Sequence, residues 1–336
     1  MLNIFYNMNR WSRFNYTELN RIENELAELS GTKLESKQVF ITTHNILYVL
    51  YCGNPALPKL ILLHGYCGAS MIFYKILKRL SEKYYIIMVD LLGMGRSSRP
   101  HFSFTKLKDC ENFFVACLEN FCVQENLTDF TLAGHSFGGY VASLYTLAYP
   151  KKVNLLILFS PIGVNEPPPG WDYLIYLKEK DWKFRWVMKV VSYFWMKNVT
   201  PPSILRNAGP LSEKLLRIYS HDKLKSLGSE KKLMQDYLEQ INLLPGSSDL
   251  ALIYILNPGG MGIKPLSRRL GPVQVPILFF YGDRDWVKSI GAEQTMQVNK
   301  KVILKIVENS GHDLYWDNPE KLMDDLLQSI KESENF

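Results

Sequence analysis

The sequence predicts an α/β protein: a mostly parallel, doubly wound sheet with a helical cap inserted into it. Three observations carry this. Six short β-rich runs, Leu60–Leu63, Tyr85–Val89, Phe130–Ala133, Leu155–Phe159, Ile277–Phe280 and Val302–Ile306, are almost continuously apolar. Such runs suit strands covered on both faces, as in a parallel sheet. Helical stretches separate most of them, and alternating strands and helices build a doubly wound sheet. The rhythm then breaks between Pro161 and Val275, a span holding Pro167-Pro168-Pro169, Pro201-Pro202 and Trp171, Trp182, Trp186 and Trp195. This span is expected to form a helical cap over the strand C-termini, where open α/β sheets place their ligands.

The elements follow in order. Residues 1–36 form an N-terminal unit, with aromatic Phe5, Tyr6, Trp11, Phe14 and Tyr16 beside Arg10 and Arg13. Thr17–Leu29 reads as a helix capped by Thr17, with Ile22, Leu26 and Leu29 at helical spacing. Lys37–Thr42 and Ile46–Tyr51 read as a hairpin around Thr43-His44-Asn45. The sheet core is expected over 37–161 and 272–336, with the cap over 162–271. Pro319–Glu332 closes the chain as a helix, with Asn318 as its cap and proline in its first turn.

Composition narrows the function. The 336 residues are 47% hydrophobic and 21% charged, an ordinary globular balance for one large core plus an insertion. Five cysteines show no metal-type spacing, and their odd count argues for reduced thiols in an intracellular protein. Residues 1–16 lack the apolar core of a signal peptide. No run approaches ~18 uninterrupted apolar residues, as a membrane-spanning helix requires. The net charge is +6, and the span 166–269 carries all of it, with 16 Lys and Arg against 10 Asp and Glu. No basic cluster or recognition motif accompanies that charge, so nucleic acid is not expected as a partner. An anionic substrate or membrane surface is. Asp90–Ser97 holds a partial dinucleotide pattern that lacks its third glycine, and it reads as a structural turn. Neither cofactor nor metal is expected.

One constellation carries chemistry. Gly134-His135-Ser136-Phe137-Gly138 follows the apolar run Phe130–Ala133 and precedes the helical stretch Tyr140–Tyr149. That strand–turn–helix setting makes it a nucleophile elbow, in which Gly134 and Gly138 leave room for a tight turn and Ser136 is pushed into a pocket. A serine hydroxyl needs a base, and the base an orienting acid. Along the chain Ser136 is followed by the acids of Tyr281-Gly282-Asp283-Arg284-Asp285-Trp286, then by Ser310-Gly311-His312, each behind a predicted strand. Asp285 is the favoured acid, with Asp283 as the alternative and otherwise a turn residue. His44, His101, His135 and His221 lack such positions and are read as structural or solvated. The amides of Phe137 and of Tyr66, in His64-Gly65-Tyr66-Cys67-Gly68, are expected to form an oxyanion hole.

Together these residues resemble the α/β-hydrolase superfamily, and further motifs resemble its α/β-hydrolase-domain 4/5 subfamily. The motifs are Trp11 before the first helix, His64-Gly65-Tyr66 with Gly68-Ala69-Ser70, and Gly93-x-Gly95-x-Ser97-Ser98-Arg99-Pro100. Gly134–Tyr140, Tyr281-Gly282-x-x-Asp285-Trp286 and Gly311-His312-x-x-x-x-Asp317-Asn318-Pro319 are the most specific. The group includes lysophospholipases, a lipase coactivator, plant relatives and fungal mitochondrial cardiolipin deacylases. The resemblance implies an α/β-hydrolase fold and a serine enzyme acting on acyl esters of glycerophospholipids or lysophospholipids, in phospholipid or cardiolipin remodelling. Membranes or lipid droplets are the implied setting, and the acid-free start with Arg10 and Arg13 points toward mitochondria. The family's H-x-x-x-x-D motif, linked to acyl transfer to lysophosphatidic acid, falls on His312 and Asp317. Locally, Asp317 reads as part of the start of the closing helix. The alternative function is a lipid-docked regulator of another lipase, although that branch lacks the serine kept here as Ser136. Trp182–Lys197 has two readings, packing onto the core or lying in a membrane interface with its Lys and Arg toward anionic lipid.

Overall fold

The computed structural model describes residues 14–104, 106–167, 182–221, 223–257 and 261–336. Arg10, Trp11, Arg13, Pro168, Pro169 and Trp171 therefore lie outside the described residues. Eight strands form one sheet: β1 (Leu34–Phe40), β2 (Ile46–Cys52), β3 (Lys59–Leu63), β4 (Tyr85–Val89), β5 (Phe130–His135), β6 (Val153–Phe159), β7 (Ile277–Gly282) and β8 (Val302–Val307). Their order is β1-β2-β4-β3-β5-β6-β7-β8. β3 to β8 run parallel, while β1 pairs antiparallel with β2 and β2 with β4. The expected hairpin forms, but its first strand starts at Leu34 and stops at Phe40. There the amides of Ile41 and Thr42 turn to the Asn45 carbonyl, and the Thr42 hydroxyl accepts from His44 and Asn45.

Both faces of strands β2 to β7 are buried, with side chains alternating between two cores. The edge strands β1 and β8 are largely exposed or half-buried, against the expectation for Val302–Ile306, because each has a neighbour on one side only. Ile61, Leu63, Leu132, Leu158 and Phe279 join one core with the helices Leu107–Gln124 and Phe137–Ala148. Leu60, Leu62, Ala133, Ile157 and Phe280 join the other, with Leu19, Ile22 and Leu26 of the helix Tyr16–Ser30 and Leu322, Met323 and Leu326 of the closing helix Pro319–Ser333. Asn15, not Thr17, caps the first helix, accepting from the amides of Thr17 at 2.8 Å and Glu18 at 3.3 Å. An asparagine carboxamide outcompetes the expected threonine because it sits one position ahead of the first helical turn, where it reaches both free amides.

Between β6 and β7 the described residues form a series of helices, including Trp182–Met196, Pro201–Asn207, Ser212–Ser220 and Lys231–Leu243. Pro201-Pro202 opens a helix, capped by Thr200 and Ser203 reciprocally. Met234, Tyr237 and Ile241 seat this inserted span on the second core. Along Trp182–Met196, Trp195 packs against the first core, whereas Trp182, Trp186, Tyr193, Phe194 and Met196 are exposed. No helix among the described residues is long and apolar enough to cross a membrane.

Candidate active site

Four parallel strands deliver the site from their C-terminal ends. β5 ends at His135, and Ser136 turns directly into the helix Phe137–Ala148. Ser136 has φ of +52°, a conformation that L side chains adopt only under strain. A Cβ on Gly134 would run into the backbone of Gly138, and a Cβ on Gly138 into the carbonyls of Leu63 and His64. The two glycines are therefore what allow β5 to reverse into a helix against β3. The elbow's strain is real, and its hydroxyl lies on the cavity described below.

The histidine loop follows β8. His312 Nε2 lies 3.0 Å from Ser136 Oγ, and its Nδ1 lies 3.0 Å from Asp285 Oδ1. A carboxylate only accepts, so Nδ1 carries the proton and Nε2 presents its lone pair to the serine hydroxyl. Asp285 is 2% exposed and also accepts from the Val287 amide at 2.9 Å. Asp283, the alternative acid, does not reach His312. Its Oδ1 accepts from the Ser310 amide at 2.9 Å, tying the β7 loop to the histidine loop. That backbone hydrogen bond holds its exposed carboxyl below the usual carboxylate range. Asp317 departs from the local expectation: Asn318 alone caps the closing helix, and Asp317 Oδ2 reaches back to accept from the Gly311 amide at 2.7 Å. The spacing from His312 to Asp317 thus closes a loop that fixes the histidine's own backbone.

After β3, the loop carrying Tyr66 is held by His64. Its Nε2 accepts from the Leu91 amide at 2.9 Å, so Nδ1 donates to the Gly65 carbonyl at 2.8 Å. Burial pushes the His64 pKa down, which keeps the ring neutral as this pattern requires. Tyr66 itself donates its hydroxyl to the Asp249 carbonyl of the inserted span at 2.9 Å. Among the described residues no protein acceptor takes the amide of Tyr66 or of Phe137. Asp90 buttresses the same loop as a structural residue, accepting from the Ser70 amide at 2.7 Å and the Arg96 amide at 2.8 Å.

Ser136 and His312 line a cavity of about 1040 Å³. Ile72, Ile162, Leu205, Leu216, Leu252 and Leu256 supply apolar wall, and Lys223, Lys225 and Arg284 supply cations. No cluster of potential metal ligands occurs among the described residues.

Sequence reasoning passed over a second layer behind the histidine. His135 is fully buried, its Nε2 donating to the His312 carbonyl at 2.9 Å and its Nδ1 lying 3.2 Å from the Tyr315 hydroxyl. Burial first, and the neighbouring His312 next, push its pKa down to about 3. Tyr315 also reaches Asp313 Oδ1 at 3.0 Å. The signal was position: His135 directly precedes the elbow serine and Asp313 directly follows His312.

A family model described as the alpha/beta hydrolase fold matches residues 58–319, and the chain belongs to that family. It is 33% identical over 274 residues to a rice protein named "Probable 1-acylglycerol-3-phosphate O-acyltransferase", covering 78% of this chain. The chain spans only 64% of that relative's length. It is 27% identical to the rat "1-acylglycerol-3-phosphate O-acyltransferase ABHD5", covering 94% of this chain and 89% of that one. A mouse "(Lyso)-N-acylphosphatidylethanolamine lipase" is 26% identical over 90% of this chain and 88% of its own. These relatives bear out the subfamily resemblance. Among solved structures, a bacterial membrane phospholipase A shares the fold with a TM-score of 0.68 at 23% identity, over 95% of this chain and 92% of that one.

Proposed function

We propose that this chain is a serine acyl-ester enzyme acting on glycerophospholipids or lysophospholipids. The observation that supports it best is the chain of hydrogen bonds from Ser136 through His312 to Asp285 at an apolar cavity large enough for an acyl chain. Ser136 Oγ attacks the ester carbonyl as His312 Nε2 takes the hydroxyl proton. Asp285 stabilises the imidazolium and holds its tautomer. The carbonyl oxygen becomes an oxyanion beside the Tyr66 and Phe137 amides. His312 then gives its proton to the departing glycerol oxygen, leaving an acyl ester on Ser136. Water, activated in the same way, releases the fatty acid. A lysolipid hydroxyl in the place of water would give a diacyl product, so hydrolysis and acyl transfer differ only in the acceptor. The names of the rice and rat relatives fit transfer, and that of the mouse relative fits cleavage.

Incubating purified protein with acyl-labelled lysophosphatidylethanolamine or lysophosphatidate, with and without unlabelled lysolipid, reads both outcomes by mass spectrometry. Free fatty acid or labelled diacyl product is expected. A folded protein that releases no acyl group from these lipids or from short soluble esters would overturn the reading.

The setting we propose is an anionic lipid surface. Exposed Trp182, Trp186, Tyr193 and Phe194 share a helix with exposed Lys189, and Lys197 follows it. Aromatic rings enter headgroup regions, and each cation near an anionic surface contributes about 1 kcal/mol, less as salt rises. In flotation, the protein is expected to bind vesicles containing phosphatidate or cardiolipin better than neutral ones, and less well at high salt. Trp182→Ala/Trp186→Ala should bind more weakly. Equal binding to neutral and anionic vesicles would remove the charge argument.

A further inference from the structure

Among the described residues, the inserted span makes a charged contact with the histidine loop that the acyl chemistry does not use. Lys223 Nζ lies 3.2 Å from Asp313 Oδ2. Asp313 is 4% exposed, and it is the residue directly after His312. Its other oxygen meets the Tyr315 hydroxyl at 3.0 Å, and that hydroxyl meets His135 Nδ1 at 3.2 Å. His135 Nε2 in turn holds the His312 carbonyl at 2.9 Å. The path therefore runs from an inserted-span cation, through a buried carboxylate, to the backbone of the histidine that faces Ser136. The two imidazole rings stand 4.8 Å apart.

The protons in this path cannot satisfy every contact at once. A carbonyl only accepts, so His135 Nε2 must carry a hydrogen. In a neutral His135 ring, Nδ1 is then an acceptor as well, and the single hydrogen of Tyr315, which goes to Asp313 Oδ1, cannot also serve it. Asp313 Oδ2 in that state is balanced by Lys223. Without Lys223, a second arrangement becomes favourable, in which a proton enters the cluster. His135 becomes a cation that donates to Tyr315, and Tyr315 donates to Asp313. Alternatively, His312 holds the proton more tightly. Either arrangement disables the base, because the first puts a positive charge beside the forming imidazolium and the second occupies Nε2.

We infer that Lys223 is a positioning residue of the site: by balancing Asp313 from the inserted span, it keeps the two-histidine cluster free of an extra proton and the histidine loop in register with Ser136. Further charged groups around the histidine loop and the cavity are Asp285, which meets His312, Asp283 and Asp317, which meet the loop's amides, and Arg284 and Lys225 on the cavity lining. Among the described residues, Lys223 is the cation that pairs with Asp313 Oδ2. Lys223 also lies 5.7 Å from the Trp316 ring, which steadies its ammonium at this place.

The kinetic arm of the test rests on the proposed acyl chemistry, and a second arm does not. In the pH profile of kcat/KM for a soluble ester, Lys223→Met should move the acid limb up by about one pH unit, the size expected when a charge a few ångströms away loses its partner. Lys223→Arg should keep the wild-type limb. Lys223→Met/Asp313→Asn should return the limb to within about 0.3 unit of wild type, because the charge that Lys223 balanced is gone with it. For the second arm, imidazole titrations by NMR in a Ser136→Ala background need no turnover. There Lys223→Met should raise the pKa of His135, and the added Asp313→Asn should reverse the rise. A lower rate with an unmoved limb and unmoved titrations, or a double variant no better than Lys223→Met, would overturn the inference. Absence of turnover in the wild type with the expected titrations would instead sink the acyl-ester reading and leave this one standing.

Discussion

Ser136→Ala should lower ester hydrolysis by about 10⁶, the scale on which removing a triad nucleophile acts. The side chain is small, sits at the end of β5 and is not needed to close the elbow turn, which Gly134 and Gly138 secure. The variant should therefore keep the wild-type circular dichroism and unfolding temperature while losing turnover. The loss should fall on kcat with little change in substrate binding, since the apolar cavity wall is untouched. Turnover within tenfold of wild type would mean that Ser136 is a packing residue at a strained turn.

Asp285→Asn should cost about 10⁴ in turnover. The carboxylate compels His312 to carry its proton on Nδ1, across 3.0 Å. An asparagine amide can present its own hydrogens there, which favours the tautomer with Nε2 protonated and so removes the base facing Ser136. Asp283→Asn should cost far less, because Asp283 binds the Ser310 amide instead of the imidazole. Its effect belongs to the stability of the loop pair. Parallel kinetics of the two variants, with unfolding curves for each, separate the roles. A larger turnover loss from Asp283→Asn would assign the acid the other way.

The parts of the fold with strong local signatures were legible in the sequence. Parallel strands buried on both faces read as apolar runs, and the alternation of Leu60 and Leu62 against Ile61 and Leu63 between two cores is what makes such a run necessary. The nucleophile elbow was legible because the steric demand on Gly134 and Gly138 leaves almost no other residue possible. Choosing Asp285 over Asp283 was also within reach, since a turn at Gly282 sends successive side chains in different directions. What escaped were interactions fixed only by tertiary approach. Lys223 and Asp313 are far apart in sequence, and neither has a spacing rule that links them. Asp317 looks in sequence like a helix-start residue because its neighbour Asn318 is one; its reach back to Gly311 depends on how tightly the histidine loop folds. Exposure along Trp182–Met196 was likewise undecidable from periodicity, because aromatics occupy more than one face of that helix.

Mapping the adduct of a fluorophosphonate probe tests the central claim most directly. Attack by Ser136 Oγ on phosphorus expels fluoride and leaves a stable phosphonyl ester that copies the tetrahedral intermediate. Intact-mass and peptide analysis should find one such group, on Ser136, formed quickly in the wild type, slowly in His312→Ala and not at all in Ser136→Ala. A folded wild-type protein that takes up no probe, or takes it up at another residue, would contradict the account.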